Sequence, residues 1–393
     1  MATVGAADFG GEIAAARDTS VIADVALYTS LDDAEPVWRA FERQSVTTPY
    51  QRFDWLETWH RHVGARNGFV PLIVHARQAN GETAFIWPLA VRQKRHLRVA
   101  GWLGCKLANY RFGLYAPGVE ARLDRAALVP VFDRIRDEGG VDLLTLTNQP
   151  ERWQGARNPL LAVPHQASPS HAYSLRLDPD FDTLYAALRS SSTRKKMRRR
   201  ERQIAREYGS CVLRRPRTSD DVDRVLDAYF VQKTRRMQEK HIPNVFARPG
   251  VMGFFRELAV RSIGAEDPLC DLFWLDAGGQ IAATWAGTQA NGRMSGMITS
   301  FDEERFRCHH AGEIVLRQVI EHCFKAGLRE FDLGVGEAQY KTSWCPQTDP
   351  LFDSFLPLTT LGWMPATVSR TGHRLKRAAK QSNLLTGVFQ KLR

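Results

Sequence analysis

The sequence lacks the features that mark membrane-spanning, secreted and metal-binding proteins. No uncharged apolar run approaches the roughly 18 residues needed to cross a bilayer, and the N-terminus carries Asp8, Glu12 and Arg17 without a signal-peptide core. The six cysteines are scattered, with no Cys-x-x-Cys pair and no spacing typical of a zinc site. We therefore expect a cytoplasmic protein with reduced thiols and no bound metal.

The chain contains enough apolar residues for more than one core. Of its 393 residues, 44% are hydrophobic and 25% are charged, a balance typical of globular proteins. At roughly 150 residues per domain, this length predicts two domains. The stretch 148–170 has four prolines and no periodicity, and it indicates the crossing between domains. We place a first domain at 20–165, a second at 166–362 and a tail at 363–393.

The positive charge is concentrated in two places. The net charge is +11, and residues 189–217 alone hold twelve basic and two acidic residues, a surplus of +10. A second basic cluster lies in the tail, interleaved with Leu375, Leu384, Leu385, Val388 and Phe389. This pattern fits a helix on the inner face of an anionic membrane, and it fits equally well packing against the protein itself. Such patches attract phosphates, nucleic acid or anionic lipid without selecting among them.

The first half alternates helix and strand patterns. Two apolar runs at 70–78 and 82–91 are joined by Asn80-Gly81, a strong hairpin signal. Pro88 interrupts the second run, which predicts a strand that sits at a sheet edge or ends early. A helix over 124–137 precedes a strand at 141–147.

The second half carries a more specific order of elements. Asp178 and Pro179 predict the start of one helix, and a basic helix follows over 192–208. Three strands between 269 and 299, separated by glycine-containing turns, precede a helix that stops at Gly327 and a buried strand at 330–333. The resulting β-β-β-α-β order is a substantial constraint on the fold.

Several motifs in this chain resemble one family. The run Phe331-Asp332-Leu333-Gly334-Val335-Gly336-Glu337, followed by Tyr340-Lys341 and Trp344, resembles the end of the acyltransferase domain in CelD-like acetyltransferases of the GNAT superfamily. Arg194-Lys195-Lys196 and Thr48-Pro49-Tyr50-Gln51 also resemble that family, and the likeness covers about 45–358. It implies an α/β fold of tandem GNAT-like domains with mixed sheets flanked by helices, as in FemABX peptidyltransferases.

The same resemblance implies a chemistry. It implies acetyl-CoA or another acyl-CoA as co-substrate and an amine acceptor, such as an amino sugar or an envelope polysaccharide precursor, either small or lipid-linked. Amide formation from a thioester needs a base, an oxyanion stabiliser and an acid for the thiolate. The candidates of suitable type are Asp332, Glu337, Tyr340 and Lys341, and the resemblance favours Lys341. Asp332 is equally well suited to a structural role, in which it fixes the turn at Gly334. Tyr340 is also suited to a structural role, as an aromatic residue of a core.

The donor and acceptor sites can also be assigned candidate residues. A helix that begins near Gly312 presents free amides and a dipole that favour an anion such as a pyrophosphate. The resemblance extends this donor site to Arg307, His309, His310, Ala311 and Gly312. An acceptor cleft between the domains is expected to use Gln51, Trp55, Tyr110 and Arg111, and the basic helix would add Arg194, Lys195 and Arg198. Trp55 and Trp59 also fit the core by their helical spacing, and the basic helix fits a solvated face.

Two alternatives stay open. In the first, the donor is an aminoacyl-tRNA, as in FemABX-like peptidyltransferases, and the basic helix tracks RNA phosphates. The absence of an inserted coiled-coil arm argues against that interpretation and against a nucleic-acid partner. In the second, the protein is a non-catalytic binding protein on the same fold.

Overall fold

The computed structural model describes residues 21–177 and 180–381. Asp178, Pro179 and the tail residues after 381 lie outside the described residues, so the predictions made for them stay untested. The elements of the first half are β1 (Asp24–Tyr28), α1 (Leu31–Glu42), α2 (Phe53–Trp59), β2 (Val70–Arg77), β3 (Thr83–Lys94), β4 (Leu97–Trp102), β5 (Leu114–Tyr115), α3 (Arg125–Asp137), β6 (Leu143–Pro150), β7 (Arg152–Trp153), β8 (Ala156–Arg157) and β9 (Gln166–Ala167).

The second half contains the longer helices. Its elements are β10 (Ala172–Arg176), α4 (Phe181–Leu188), α5 (Ser191–Tyr208), β11 (Val212–Arg214), α6 (Ser219–Glu239), α7 (Val251–Arg261), β12 (Asp271–Ala277), β13 (Gln280–Ala290), β14 (Arg293–Phe301), α8 (Glu303–Phe306), α9 (Ala311–Lys325), β15 (Glu330–Val335), α10 (Gln339–Trp344), β16 (Gln347–Asp349), β17 (Leu351–Pro357) and α11 (Trp363–Gln381).

Two mixed sheets organise these elements. The first has the order β1-β2-β3-β4-β6-β17-β9, with β5 paired to β3, and the second has the order β11-β12-β13-β14-β15-β10-β16. The predicted hairpin is confirmed by the antiparallel pairing of β2 with β3. The predicted β-β-β-α-β order is confirmed by β12, β13, β14, α9 and β15. The α/β fold class predicted from the sequence is therefore correct.

The edge position predicted from Pro88 is wrong. The strand β3 runs to Lys94 and lies inside its sheet, with β2 on one side and both β5 and β4 on the other. Pro88 falls between the stretch that pairs with β5 and the stretch that pairs with β4, and its carbonyl accepts a hydrogen bond from the Leu103 amide at 2.9 Å. The missing N–H of proline therefore coincides with a gap between two partner strands.

The chain returns to its first sheet near its end. The strand β17 follows the whole second sheet in sequence, yet it pairs antiparallel with β6 and β9. The helix α11 then packs against β17 and β6. The two sheets consequently do not divide the chain at a single position, because a strand from the second half of the chain belongs to the first sheet.

The hydrophobic core continues from one half into the other. Trp55 and Trp59 are buried, as their spacing predicts, and the Trp55 ring meets Phe254 of α7 edge to face at 5.0 Å. One core cluster joins the first sheet to α6, α7 and one face of the β12–β14 meander, and a second fills the opposite face under α5 and α9. None of the described helices is both long and apolar enough to span a membrane.

Candidate active site

A buried carboxylate lies where the two halves meet. Asp332 of β15 is fully buried, and its Oδ2 accepts hydrogen bonds from Arg293 Nε at 2.8 Å and Ser295 Oγ at 2.6 Å. Its Oδ1 accepts from the Tyr110 hydroxyl at 3.1 Å and from the Gly334 amide at 2.9 Å. The predicted turn-fixing bond to Gly334 is therefore present, and the four donors hold the carboxylate in place.

Arg293 is the cation of this cluster. It also bonds Glu330 at 2.9 Å and Asp349 at 3.0 Å, and its guanidinium lies 4.5 Å from the centre of the Trp153 ring. Burial alone would lower the pKa of Arg293, but Asp332 and the other nearby acids raise it well above its usual value. A buried charge pair of this kind is costly to break, because the remaining partner keeps its charge without compensation.

A loop from the first half reaches into the second sheet beside this cluster. The side-chain amide of Asn109 donates to the Gly296 carbonyl at 2.7 Å and to the Tyr50 hydroxyl at 3.0 Å. Gly334 faces the same amide and has a φ of 69°, and a Cβ at that position would lie 2.4 Å from Asn109 Nδ2. Glycine is therefore required here both by backbone conformation and by the close approach of the loop.

Asn109 contacts the point at which β14 and β15 separate. These two strands pair in parallel only from Arg293↔Glu330 to Ser295↔Asp332, although β14 continues to Phe301 and β15 to Val335. Beyond Ser295, the edge of β14 on the β15 side no longer pairs with β15. The strands thus form a fork, with the first-half loop at its base.

A cleft of about 480 Å³ opens at this fork. Its apolar lining includes Trp285, Phe301, Leu316 and Leu333, and its polar lining includes Lys233, Arg236, Arg307, His310, Glu313 and Tyr340. The start of α9 closes one end: a Cβ on Gly312 would lie 3.1 Å from the Phe301 ring. The cleft therefore combines an apolar floor with a mostly cationic rim.

The predicted donor-loop residues divide into two groups. Arg307, His310 and Gly312 line the cleft, and Ala311 is the buried first residue of α9. His310 has a φ of 55°, which turns the chain into the helix. The pKa of its imidazole is lowered mainly by burial and, to a smaller extent, by the positive charge of the nearby Arg200. His309 points elsewhere: it is buried against Tyr208 and Phe306, with its Nε2 3.2 Å from Glu207.

The predicted catalytic residues are also separated. Tyr340 lines the cleft, and although 37% of its surface is exposed, the local burial of its phenol raises its pKa to about 12. Lys341 is buried, and its Nζ donates to the Val335 carbonyl at 2.9 Å and the Gly334 carbonyl at 3.3 Å. Glu337 bonds Lys380 of α11 at 2.9 Å, so its carboxylate links the end of β15 to the C-terminal helix.

The buried ammonium of Lys341 gives a pH-dependent prediction. Burial lowers its pKa from 10.5 to about 8. Between these two pH values the lysine is protonated in the unfolded chain but largely neutral in the folded protein. Its contribution to the free energy of unfolding therefore rises with pH. We compare the free energies of unfolding of the wild type and of Lys341→Met. The difference, wild type minus variant, is expected to increase by about 1 kcal/mol per pH unit from about pH 8 to about pH 10. Urea denaturation over this range measures it. Lys325→Met, at an exposed lysine, is the control; a flat difference for Lys341→Met would contradict the prediction.

The predicted acceptor residues of the first half are buried at the contact between the halves. Gln51 donates to the Tyr110 carbonyl at 3.2 Å, and Trp55 packs against Tyr50. Arg111 donates from its Nε to the Cys105 carbonyl at 3.0 Å and from its Nη1 to the Thr147 carbonyl at 3.2 Å. These bonds fix the first-half loop that carries Asn109. Of this set, Tyr110 touches the Asp332 cluster directly, and none lines the cleft.

The predicted acceptor-site residues of α5 also stand apart from the cleft. Lys195 and Arg198 are exposed, and Arg194 is half-buried with an unpartnered Nε among the described residues. The helix packs through Met197 and Ile204 and is tied to α9 by the pair Glu201–Arg317 at 2.8 Å. Its exposed cations face solvent.

Sequence reasoning did not identify Lys233 of the cleft or Arg293 of the Asp332 cluster. Lys233 had a visible signal, because it continues the buried stripe Val222, Val225, Leu226 and Tyr229 of α6 at helical spacing. Its Nζ donates to the Thr299 carbonyl at 3.4 Å and lies 5.3 Å from the Phe246 ring centre, and burial lowers its pKa to about 8. Arg293 had no local signal, since its partner Asp332 lies 39 residues away.

A larger groove lies beside the edge strand β11, away from the fork. It measures about 1060 Å³ and includes Arg214, Arg215 and Arg217 among its lining residues. Two of these arginines are neutralised by acids that also line the groove, with Arg214–Asp276 at 3.3 Å and Arg215–Asp271 at 2.9 Å. No residue predicted from the sequence lines this groove.

In the part of the chain that the structure describes, no group of three or more His, Cys, Asp or Glu residues is placed to hold a metal ion.

Comparisons with known proteins are consistent with this fold. The chain is similar to FemX, with a TM-score of 0.56, 10% identity, and coverage of 85% of this chain and 97% of FemX. It is also similar to a conserved protein of unknown function from Bacteroides thetaiotaomicron VPI-5482, with a TM-score of 0.52 and 11% identity. That likeness covers 86% of this chain and 100% of the Bacteroides protein. No curated protein matches in sequence. Residues 191–342 match the sequence model of the Acetyltransferase (GNAT) domain.

The match spans α5 to α10 and therefore contains the fork, the cleft and the Tyr340-Lys341 motif. The solved structures share the fold at low identity, and the narrower likeness to CelD-like enzymes stays a prediction. This chain thus has the α/β fold of FemX, and its residues 191–342 are similar to the Acetyltransferase (GNAT) domain.

Proposed function

We propose that this protein is an acyl-CoA-dependent N-acyltransferase that transfers an acyl group, such as acetyl, to an amine. The acceptor we propose is an amino sugar or an envelope polysaccharide precursor, and this part rests on the motif resemblance. The donor rests on one structural observation, the cleft at the fork between β14 and β15.

The cleft suits the chemical parts of an acyl-CoA. The unpaired side of β14 beyond Ser295 offers backbone groups that can pair with the amides of a pantetheine arm, as an added strand would. The apolar floor suits the acyl chain. Cations on the rim, Arg307 among them, suit the phosphates, and the first turn of α9 adds free amides at the same end.

The lining residues can serve the transfer. The amine attacks the thioester carbon, a C–N bond forms, and the carbonyl oxygen becomes an oxyanion that the Lys233 ammonium can stabilise. The neutral imidazole of His310 can take the proton released by the amine. When the C–S bond breaks, the Tyr340 hydroxyl, protonated at neutral pH, can supply a proton to the thiolate.

Calorimetric titration of the full-length chain with acetyl-CoA and longer acyl-CoAs tests this proposal. We expect saturable binding of one donor per chain, followed by release of free CoA thiol when a suitable amine is added. Failure of every acyl-CoA to bind would overturn the donor assignment. Binding without thiol release across a panel of amino sugars and polyamines would overturn the proposed acceptor class.

Lys233 is expected to act in the chemical step. If its ammonium stabilises the oxyanion, Lys233→Met lowers kcat by about 100-fold and changes donor affinity much less. The rate of the wild type should also fall as the pH rises above about 8, where this lysine loses its proton. Steady-state kinetics measures both. Lys325→Met serves as the exposed-lysine control, and an unchanged kcat in Lys233→Met would contradict the role.

A second candidate takes aminoacyl-tRNA as the donor. The observation that favours it is the solvent-facing row of cations on α5, which includes Lys195, Arg198 and Arg202. Binding of that kind weakens steeply as salt increases. Fluorescence anisotropy with labelled tRNA at two salt concentrations distinguishes the candidates, because acyl-CoA binding in the cleft does not require α5.

A further inference from the structure

The helix α11 presents an exposed apolar face. Met364, Val368 and Leu375 are 77%, 68% and 66% exposed, and Leu361, just before the helix, is 63% exposed. At 3.6 residues per turn, Met364, Val368 and Leu375 lie within about 40° of one another around α11. We call these four side chains the outer face of α11. Large apolar residues grouped in this way are unusual on a protein surface.

The opposite side of α11 is fastened to the protein. Ala366 is fully buried, His373 Nδ1 lies 2.7 Å from Asp353, and Arg370 donates to the Phe355 carbonyl at 2.5 Å. Near the end of the helix, Lys380 bonds Glu337 at 2.9 Å. These contacts fix the rotation of α11, so the outer face points away from the sheet.

The chain segment that carries the outer face contains only positive charges. No Asp or Glu follows Asp353, whereas the last 40 residues contain seven Arg and Lys. Arg374 and Lys376 are exposed and adjoin Leu375 in sequence, so each lies about 100° from it, on either flank of the apolar stripe. Cations beside an apolar stripe can extend to lipid phosphates while the stripe enters the acyl region.

We infer that the outer face of α11 is a docking surface for an anionic lipid bilayer. The helix would lie in the plane of the interface, with Met364, Val368 and Leu375 inserted and the exposed cations at the level of the headgroups. The all-positive charge selects a bilayer over a second copy of this chain, because two such faces would bring like charges together. Membrane attachment of this kind does not depend on the proposed acyl transfer.

Flotation of the full-length chain with lipid vesicles tests the inference. We expect the chain to float with phosphatidylcholine vesicles that contain about one-third phosphatidylglycerol, and much less with pure phosphatidylcholine. The triple variant Met364→Gln/Val368→Gln/Leu375→Gln should lower the partition coefficient on the order of tenfold or more. Glutamine favours helix nearly as well as the residues it replaces, so circular dichroism should show unchanged helicity.

Val231→Gln is the matched control, because Val231 is 67% exposed on α6, far from α11 in sequence, and its loss should leave vesicle binding unchanged. Lack of flotation by the wild type with anionic vesicles would overturn the inference. So would equal flotation of the wild type and the triple variant. Light scattering that shows a dimer dissociated by the triple variant would also overturn it, by assigning the face to a second copy.

Discussion

Gly312→Trp is expected to weaken acyl-CoA binding by more than about 100-fold, a loss of roughly 3 kcal/mol or more. Gly312 lines the cleft in the first turn of α9, and even a Cβ there would lie 3.1 Å from Phe301. An indole at this position has no room against Phe301 and must occupy the space that we assign to the donor. Calorimetric titration with acetyl-CoA measures the effect.

A second glycine provides the control for this substitution. Gly372 lies in α11, where a Cβ would meet nothing within 4 Å. Gly372→Trp should therefore bind acyl-CoA as the wild type does. Gly312→Ala is expected to show a small loss, since the Phe301 ring must shift by a few tenths of an ångström. Unchanged binding in Gly312→Trp would place the donor outside this cleft and contradict the proposed site.

Asp332→Asn is expected to lower the free energy of unfolding by about 3–5 kcal/mol. The substitution removes the charge that faces Arg293 at 2.8 Å in a fully buried position, and it leaves that guanidinium with the more exposed Glu330 and Asp349. The amide also places an N–H among groups that donate to the carboxylate. Urea denaturation followed by tryptophan fluorescence measures the loss.

Two further variants separate this buried pair from ordinary surface pairs. Asp133→Asn breaks a bond to Arg136 in which both side chains are well exposed, and we expect no measurable destabilisation. Arg293→Met in the Asp332→Asn background should recover part of the lost stability, because it removes a buried cation that has lost its fully buried partner. A double variant less stable than Asp332→Asn alone would show that the stabilisation does not come from the charge pair.

The sequence predicted the local architecture around the site well. The hairpin of β2 and β3, the meander of β12 to β14 and the helix α9 all follow from periodicity and turn residues, whose effects act between near neighbours in the chain. The edge position inferred from Pro88 failed because a proline can also sit between two partner strands inside a sheet. No local pattern distinguishes these two positions.

The site residues show the same division. Gly312 and Tyr340, predicted from the loop position and the motif, both line the cleft. Lys341, from the same motif, is instead buried against backbone carbonyls, and Gln51 and Arg111 support a loop rather than line an opening. A motif identifies which residues belong to a region, but the direction of each side chain depends on what packs around it.

The order of elements, the basic helix and the position of the motif residues can be read from the amino-acid sequence, because hydrogen bonding and periodicity between near neighbours decide these features. Three arrangements could not be read from it: β17 returns to the first sheet, Tyr110 bonds Asp332 across 222 residues, and α11 turns its apolar residues outward. Those arrangements join groups far apart in the chain. Their energies come from burial and charge pairing that exist only once the two halves are packed together.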